Sequence, residues 1–246
     1  MKTSWTFLGE ETEYNDFGSL MRTAELDGEC ISKDPISLVK KLTIQNTTYY
    51  IKEYTRNGKG VRHYLGRGRL QGEWENLFYF SQLGIPIPRI VAYGQQTHLG
   101  LLKVGFLVTA EVPQAWDLRA LSIARPQLFS KGRWLEAVIR QTADYTRRLH
   151  QHGFVHRDLK WRNVLVSAVD HESPKVYFFD CPLGREWFGW LKQRGAIKDL
   201  ACLDTIGKKV LSRSRRLYFF LQYRNVKRLS VKDKEMICRL LNFFPD

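Results

Sequence analysis

The sequence of 246 residues has no apolar run near the roughly 18–20 residues that a bilayer-spanning helix needs. Its opening, MKTSWTFLGEETEYNDF, turns acidic where a secretory leader would be apolar, so export by that route is not expected. Cysteine is sparse. Cys30, Cys181, Cys202 and Cys238 lie far apart without paired spacing, which argues against a disulfide framework or a zinc site and makes a reducing cytosol the default. No internal repeat or low-complexity tract is visible, and 43% hydrophobic with 26% charged residues excludes wholesale disorder. Acidic residues are also short: 25 Asp and Glu stand against 39 Lys and Arg, a formal net charge of +14. Such an excess invites nucleic acid, an anionic membrane or a phosphorylated ligand.

The excess is uneven. Residues 1–55 hold 6 basic and 9 acidic side chains, and residues 73–184 are nearly balanced at 13 against 10. The surplus sits in residues 56–72, with five basic and no acidic residues, and in residues 185–246, with 15 against 6. Two basic zones flank a balanced middle.

Hydrophobic periodicity sets out the elements. ISLVKKLTI (36–44) and TYYIKEY (48–54) read as strands around a QNT turn, followed by the glycine-rich basic loop NGKGVRHYLGRGRLQG (57–72). EWENLFYFSQLG then reads as a helix stopping at Gly84, and IPIPRIVAYG and VGFLVTAEV as two more strands. From about residue 114 the chain turns helical; in WLEAVIRQTADYTRRLHQHG, Leu135, Val138, Ile139, Thr142, Tyr145 and Leu149 recur at helical spacing. NVLVSA (163–168) and KVYFFD (175–180) are short strands, and helices resume in KDLACLDTIGKKVL, RRLYFFLQY and VKDKEMICRLLNFF, the last capped by Ser230 and Asp233. A β-rich front with one helix, joined to a helix-rich back, predicts an α+β bilobal protein: an N-lobe over 1–112 and a C-lobe over 113–246.

The sharpest chemical signal is HRDLKWRN (156–163), after a long amphipathic helix and before a strand. Asp158 is a potential base for a hydroxyl, Lys160 can neutralise a migrating phosphoryl group, and Asn163 can offer its carbonyl oxygen to a metal ion. Asp180, at the end of the next predicted strand, is placed to reach a Mg²⁺ that bridges phosphates. Lys52, central in YYIKEY, can reach nucleotide phosphates and pair with a helical glutamate, for which Glu73 and Glu75 are the candidates. A lone strand lysine is usually a surface residue and a lone strand-end Asp usually a turn residue. All of these in one order, on the expected elements, describe a phosphotransferase site.

With those residues in place, the sequence resembles the protein-kinase-like superfamily, and most closely the bacterial lipopolysaccharide core kinases, the Kdo/heptose kinase family. YYIKEY, GEWENLFYFSQLGIPIPRIVAYG, HRDLKWRNVLV, FFDCPLGR, KDLACL and LSRSRRLYFFLQY carry the resemblance over most of residues 36–224. The family pattern sets the helical glutamate eleven residues before the glycine of a GxP-like turn, which selects Glu73. The resemblance implies a protein-kinase-like fold and MgATP-dependent phosphorylation of a heptose or Kdo hydroxyl on the inner core, at the cytoplasmic face of the inner membrane. It implies that Lys52 holds ATP phosphates, that Glu73 positions Lys52, and that Asp158 orients and deprotonates the acceptor hydroxyl. Asn163 and Asp180 would bind Mg²⁺, backbone groups around Glu111 to Pro113 would hold adenine, and Asp199 would either brace the catalytic loop or simply begin a helix. Two features depart from the pattern. No GxGxxG precedes Lys52, so the phosphate-covering loop is irregular and its residues unassigned; and Asp180 is followed by Cys181 and Pro182, which disfavours a flipping activation switch and leaves a weakened pseudokinase as an alternative.

Rival readings divide on charge. Antibiotic-type phosphotransferases take polycationic substrates, which the basic C-terminal zone would repel. The stretch between Asp180 and Asp199 is short for a regulated protein-kinase loop. Nucleic-acid binding through Arg56, Lys59, Arg62, Arg67 and Arg69 would leave Asp158, Asn163 and Asp180 without a purpose, so no nucleic acid is expected. In REWFGWLKQRG (185–195), Trp187, Phe188 and Trp190 alternate with Arg185, Lys192 and Arg194. That mixture suits an anionic headgroup interface or, for at least one Trp, ordinary packing. The basic run 208–216, with Arg213, Arg215 and Arg216, is the second candidate for the anionic leaflet.

Overall fold

The computed structural model describes residues 1–8, 22, 28–44, 46–56, 67–130 and 132–244. The chain divides into two compact units: residues 1–75 with 88–112, and residues 76–87 with 113–246. Residues 76–87, placed in the front lobe by the division at 112, cluster with the second unit.

The first unit is an antiparallel sheet of six strands: β1 (Lys2–Phe7), β2 (Glu29–Lys33), β3 (Ser37–Ile44), β4 (Thr47–Tyr54), β5 (Ile90–His98) and β6 (Leu101–Ala110). Their spatial order is β1-β5-β6-β4-β3-β2. The period of two along TTYYIKEY turns Tyr49 and Ile51 into a core with Val91, Phe106 and Val108, and sets Lys52 on the opposite face with Tyr50 and Tyr54. Because β4 lies between β3 and β6, Lys52 stands opposite both Val39 and Leu107 and its backbone is laddered on both sides.

Helix α1 (Arg69–Gln82) begins four residues earlier than the sequence pattern predicts, inside the segment read as loop. Tertiary contact overrides the local glycine signal here. Leu70 is fully buried against Gly105, where a Cβ would meet its side chain at 2.2 Å. Arg67 ties down the first turn by ion-pairing with Glu75 at 2.7 Å and donating to the Gly72 carbonyl. Leu70, Glu73, Leu77 and Phe80 form one buried stripe at helical spacing, and Gly84, with φ +67, ends the run. The proline-bearing residues 85–89 are not strand; β5 starts only at Ile90.

The second unit is built on helices α2 (Leu118–Ala124), α3 (Gly132–Gln151), α4 (Gly189–Val210), α5 (Arg213–Arg224) and α6 (Val231–Leu241). Ala143, Leu200, Phe220 and Tyr223 bury a core between α3, α4 and α5. Five short strands complete it: β7 (Trp116–Asp117), β8 (Phe154–Val155), β9 (Val164–Ser167), β10 (Lys175–Phe178) and β11 (Arg185–Glu186). β9 pairs with both β7 and β10, and β8 pairs with β11. Ser230 and Asp233 form the expected reciprocal cap on α6. Helix α4 starts at Gly189, well before the KDLACL stretch in which the sequence pattern opens it, so Asp199 lies mid-helix and not at a helix start. Among the described residues no helix is long and apolar enough to cross a membrane.

Candidate active site

In the first unit, the Lys52 ammonium lies 2.9 Å from both carboxylate oxygens of Glu73. Glu75 faces outward to Arg67 and Gln71, so Glu73 is the partner. With α1 starting at Arg69, Glu73 sits in the second helical turn and not the first. Sequence reasoning missed Tyr54, whose hydroxyl donates to Glu73 Oε2 at 2.5 Å and whose ring lies 5.4 Å from the Lys52 ammonium. Tyr54 and Glu73 are both buried, so Lys52 and Tyr54 donate to the carboxylate in a dry setting. The available signal was spacing: Tyr54 is two residues beyond Lys52 and therefore on its face of the strand.

The β2–β3 turn ahead of Lys52 carries no glycine. Asp34 closes the turn instead, its Oδ1 accepting from the amides of Ile36 (2.8 Å) and Ser37 (3.0 Å), so both N–H groups are engaged within the turn. At the predicted adenine segment, the Glu111 N–H donates to the Thr48 carbonyl (2.8 Å). Its carboxylate meets Lys41 at 2.8 Å and the Tyr50 hydroxyl at 3.2 Å. Pro113 has no N–H, so these two residues can offer adenine carbonyl oxygens only.

In the second unit, Asp158, Lys160 and Asn163 are brought together by a tight loop. The Asp158 carbonyl accepts from the Lys160 N–H (2.9 Å) and from Asn163 Nδ2 (2.8 Å). That commits the Asn163 amide nitrogen and points its remaining acceptor, Oδ1, elsewhere. The Lys160 ammonium is 2.6 Å from Asp158 Oδ1, and Arg162 is 3.4 Å from Oδ2. Buried Leu159 and Trp161, the latter stacked on Phe129, root the loop in the core.

Asp199 holds that loop from α4. It is fully buried and accepts from the backbone amides of His156 (2.7 Å) and Arg157 (2.8 Å). Arg157 adopts φ +72, a conformation costly for a residue with a side chain, and the Asp199 bond is one of the contacts that enforce it. His150, in the last turn of α3, is buried between Asp199 (3.4 Å) and the Tyr223 hydroxyl (2.9 Å). His156 packs its ring on Phe80, and neither ring nitrogen has a hydrogen-bond partner among the described residues. Burial pushes its pKa below the ordinary histidine value, against the opposing pull of Asp199, Asp180 and Asp158.

Asp180 lies two residues beyond β10, not at a strand terminus as predicted, with φ +56. The adjoining Phe179 N–H donates to the Asn163 carbonyl (3.2 Å), which joins this turn to the Asp158–Asn163 loop. The following Cys181–Gly184 turn is pinned by Asn76 Nδ2, donating to the carbonyls of Cys181 (2.6 Å) and Gly184 (3.0 Å). Asn76 was also missed. Its signal was a polar residue on the inward face of α1, one turn beyond Glu73. Among the described residues no cluster of three or more His, Cys, Asp or Glu could hold a metal.

The basic segments separate into structural and exposed cations. Arg215 pairs with Glu136 (2.7 Å) and Arg216 forms a two-bond pair with Asp204, so charge reversal there would damage packing. Within the loop at 56–72, Arg67 is engaged with Glu75, while Lys59 and Arg62 fall outside the described residues.

A buried lysine–glutamate pair on a sheet-and-helix unit, and an Asp-x-Lys-x-x-Asn loop on a helical unit, place the protein in the kinase-like fold class. The profile of the lipopolysaccharide kinase (Kdo/WaaP) family matches residues 33–213, more than half of the chain, and the protein belongs to that family. A solved structure of WaaP in complex with acyl carrier protein is similar with a TM-score of 0.73, covering 99% of this chain and 96% of that one. Their sequences are 19% identical, so this likeness speaks to the fold. No curated protein sequence matches the chain significantly.

Proposed function

We propose that the protein is a MgATP-dependent kinase that phosphorylates a heptose or Kdo hydroxyl of the lipopolysaccharide inner core, at the cytoplasmic face of the inner membrane. The observation that carries this reading is the Asp158–Lys160–Asn163 loop locked by Asp199 in a member of the lipopolysaccharide kinase family. In it, Asp158 accepts the proton of the acceptor hydroxyl, and Lys160 moves from the carboxylate toward the charge developing on the phosphoryl group. Lys52, steadied by Glu73 and Tyr54, holds the nucleotide phosphates. Asn163, whose amide nitrogen is already committed to the Asp158 carbonyl, would offer Oδ1, and Asp180 its carboxylate, to a hard cation that prefers oxygen ligands. Bound there, Mg²⁺ would offset charge on the transferring group. The basic surplus beyond residue 185 favours an anionic, phosphorylated glycolipid over a cationic antibiotic.

The test is incubation with γ-labelled ATP and a panel of inner-core glycolipids, with aminoglycosides as controls. Mg²⁺-dependent label on a core glycolipid is expected; label on aminoglycosides alone, or on nothing, overturns the reading.

A second partner is supported by a specific cavity. The helical unit carries a half-open cavity of about 540 Å³ lined by Leu118, Phe129, Trp161, Leu203 and Phe220, with Arg213 among the residues at its wall. An acyl chain is the chemistry such a cavity takes, and the WaaP structure contains acyl carrier protein. Acyl carrier protein is accordingly proposed as a partner, with capture of the acylated but not the unacylated form as the test.

A further inference from the structure

Residues 185–194 combine a fixed base with an exposed aromatic tip. The base is held by the β8–β11 pairing of Arg185 with Val155 and Glu186 with Phe154. The Trp187 N–H donates to the Gly153 carbonyl (2.9 Å), and its half-buried indole lies between the guanidinium groups of Arg185 (5.6 Å) and Arg157 (6.0 Å). Lys192 closes the other side, its N–H on the Phe188 carbonyl (3.3 Å) and its ammonium on the Gln151 carbonyl (3.3 Å). From this base Phe188 (80% exposed) and Trp190 (66%) project into water around Gly189, at φ +56 with open space about it. Leu191 adds a third exposed apolar side chain.

We propose that Phe188–Leu191 is a wedge that docks the protein on an anionic bilayer. Phe188 and Trp190 enter the headgroup layer, while Arg185, Lys192 and Arg194 lie against lipid phosphates. The chemistry fits a bilayer in three ways. Aromatic side chains on a short protruding turn suit the interfacial layer, where an indole keeps its N–H wet and its ring dry. The flanking cations outnumber the single acid, Glu186, which matches an anionic leaflet. Three apolar side chains on one turn fall short of the roughly 800 Å² per partner that a specific protein interface buries. The wedge also has a defined relation to the chemistry. β11 pairs with β8, and β8 runs directly into His156, Arg157 and Asp158, so the docking turn and the catalytic loop share one strand pair. This inference rests on the lipid-linked acceptor proposed above for its purpose, but not for its test.

The experiment is co-sedimentation of the full chain with vesicles of phosphatidylethanolamine containing phosphatidylglycerol, compared with phosphatidylcholine vesicles, without acceptor or ATP. The F188S/W190S variant should lower partitioning to the anionic vesicles by about tenfold or more while leaving Tm unchanged, because both side chains are solvated in the free protein. R185Q/R194Q should weaken binding at low salt and lose its effect at high salt. The kinase readout is separate: F188S/W190S should retain transfer to a delipidated, water-soluble core oligosaccharide and lose transfer to the same core embedded in vesicles. Wild-type protein that does not sediment, or F188S/W190S that partitions like wild type, overturns the wedge. Self-association of the wild type that F188S/W190S abolishes would assign the turn to a second copy and overturn it equally. Vesicle binding by a protein with no phosphotransfer at all would reject the kinase reading and leave the wedge standing.

Discussion

Replacing Asp199 by Asn changes one atom of a fully buried carboxylate and should separate holding the catalytic loop from binding nucleotide. Asp199 uses both oxygens: Oδ1 for the Arg157 amide at 2.8 Å and Oδ2 for the His156 amide at 2.7 Å, with His150 Nε2 at 3.4 Å from Oδ2. In either orientation, an asparagine turns its NH₂ toward one of those donors. One charge-assisted bond, worth about 1.5–3 kcal/mol, is lost, and a buried N–H is left without an acceptor. The expected loss of stability is therefore about 2–3 kcal/mol, within the roughly 5–15 kcal/mol available to a folded domain, so the variant folds. For a chain of this size that lowers Tm by roughly 4–12 °C. The larger effect should be on turnover. Arg157 is held at φ +72 beside Asp158, and release of its amide lets the base relax from its position. A misplacement on the order of 1 Å lowers kcat by about 100-fold. The bonds of Asp199 lie within the helical unit, so KM for ATP should stay within about threefold of wild type, a factor worth about 0.6 kcal/mol. Thermal unfolding and initial-rate kinetics of labelled-phosphate transfer measure both. Wild-type Tm and kcat in D199N would refute the bracing role, and a rise in KM alone would assign Asp199 to nucleotide binding.

Two further perturbations probe Tyr54, which the sequence pattern did not single out, and His156, which opens HRDLKWRN. Y54F removes a donor from the buried Glu73 carboxylate and should cost about 1–2 kcal/mol, read as a lower Tm with KM for ATP raised by roughly tenfold or less. An unchanged Tm and KM would show that the Tyr54 bond is dispensable for placing Glu73. His156 is neutral in the fold because burial lowers its pKa, so the unfolded chain binds its proton first as pH falls. Its contribution is full above the unfolded value, near 6.5, and stability declines as pH drops below it. Replacing His156 by Leu removes two unpartnered ring nitrogens and should flatten the fall in Tm between about pH 7.5 and 5, with little or no loss at the upper end; an unaltered slope would contradict this.

Much of the site was legible because its chemistry is local in sequence. HRDLKWRN compresses the carboxylate, ammonium and amide of the candidate site into eight residues, and a strand period of two sets the face on which Lys52 stands. The family pattern chose Glu73 over Glu75, and the 2.9 Å pair agrees with that choice. Element boundaries were less legible. RLQG reads as loop by its glycine, yet it is helix because Leu70 fills the space over Gly105. The sequence pattern opens the next helix at KDLACL, yet α4 already starts at Gly189, which moves Asp199 from a helix start to a helix middle. The supports contributed by distant elements were invisible. Asn76 reaches Cys181 across 105 positions and Tyr223 reaches His150 across 73, and nothing in either local sequence announces the partner. Charge counting alone could not separate the cations held in ion pairs, Arg215 with Glu136 and Arg216 with Asp204, from those left exposed.

The central claim is that Asp158 and Asp180 carry phosphoryl transfer from MgATP to a core glycolipid. The most direct measurement is labelled-phosphate transfer by wild type, D158A and D180A, each checked for an intact fold by thermal unfolding. The wild type should show Mg²⁺-dependent transfer, and either variant none above background at near-native Tm. Transfer retained by both variants would contradict that claim.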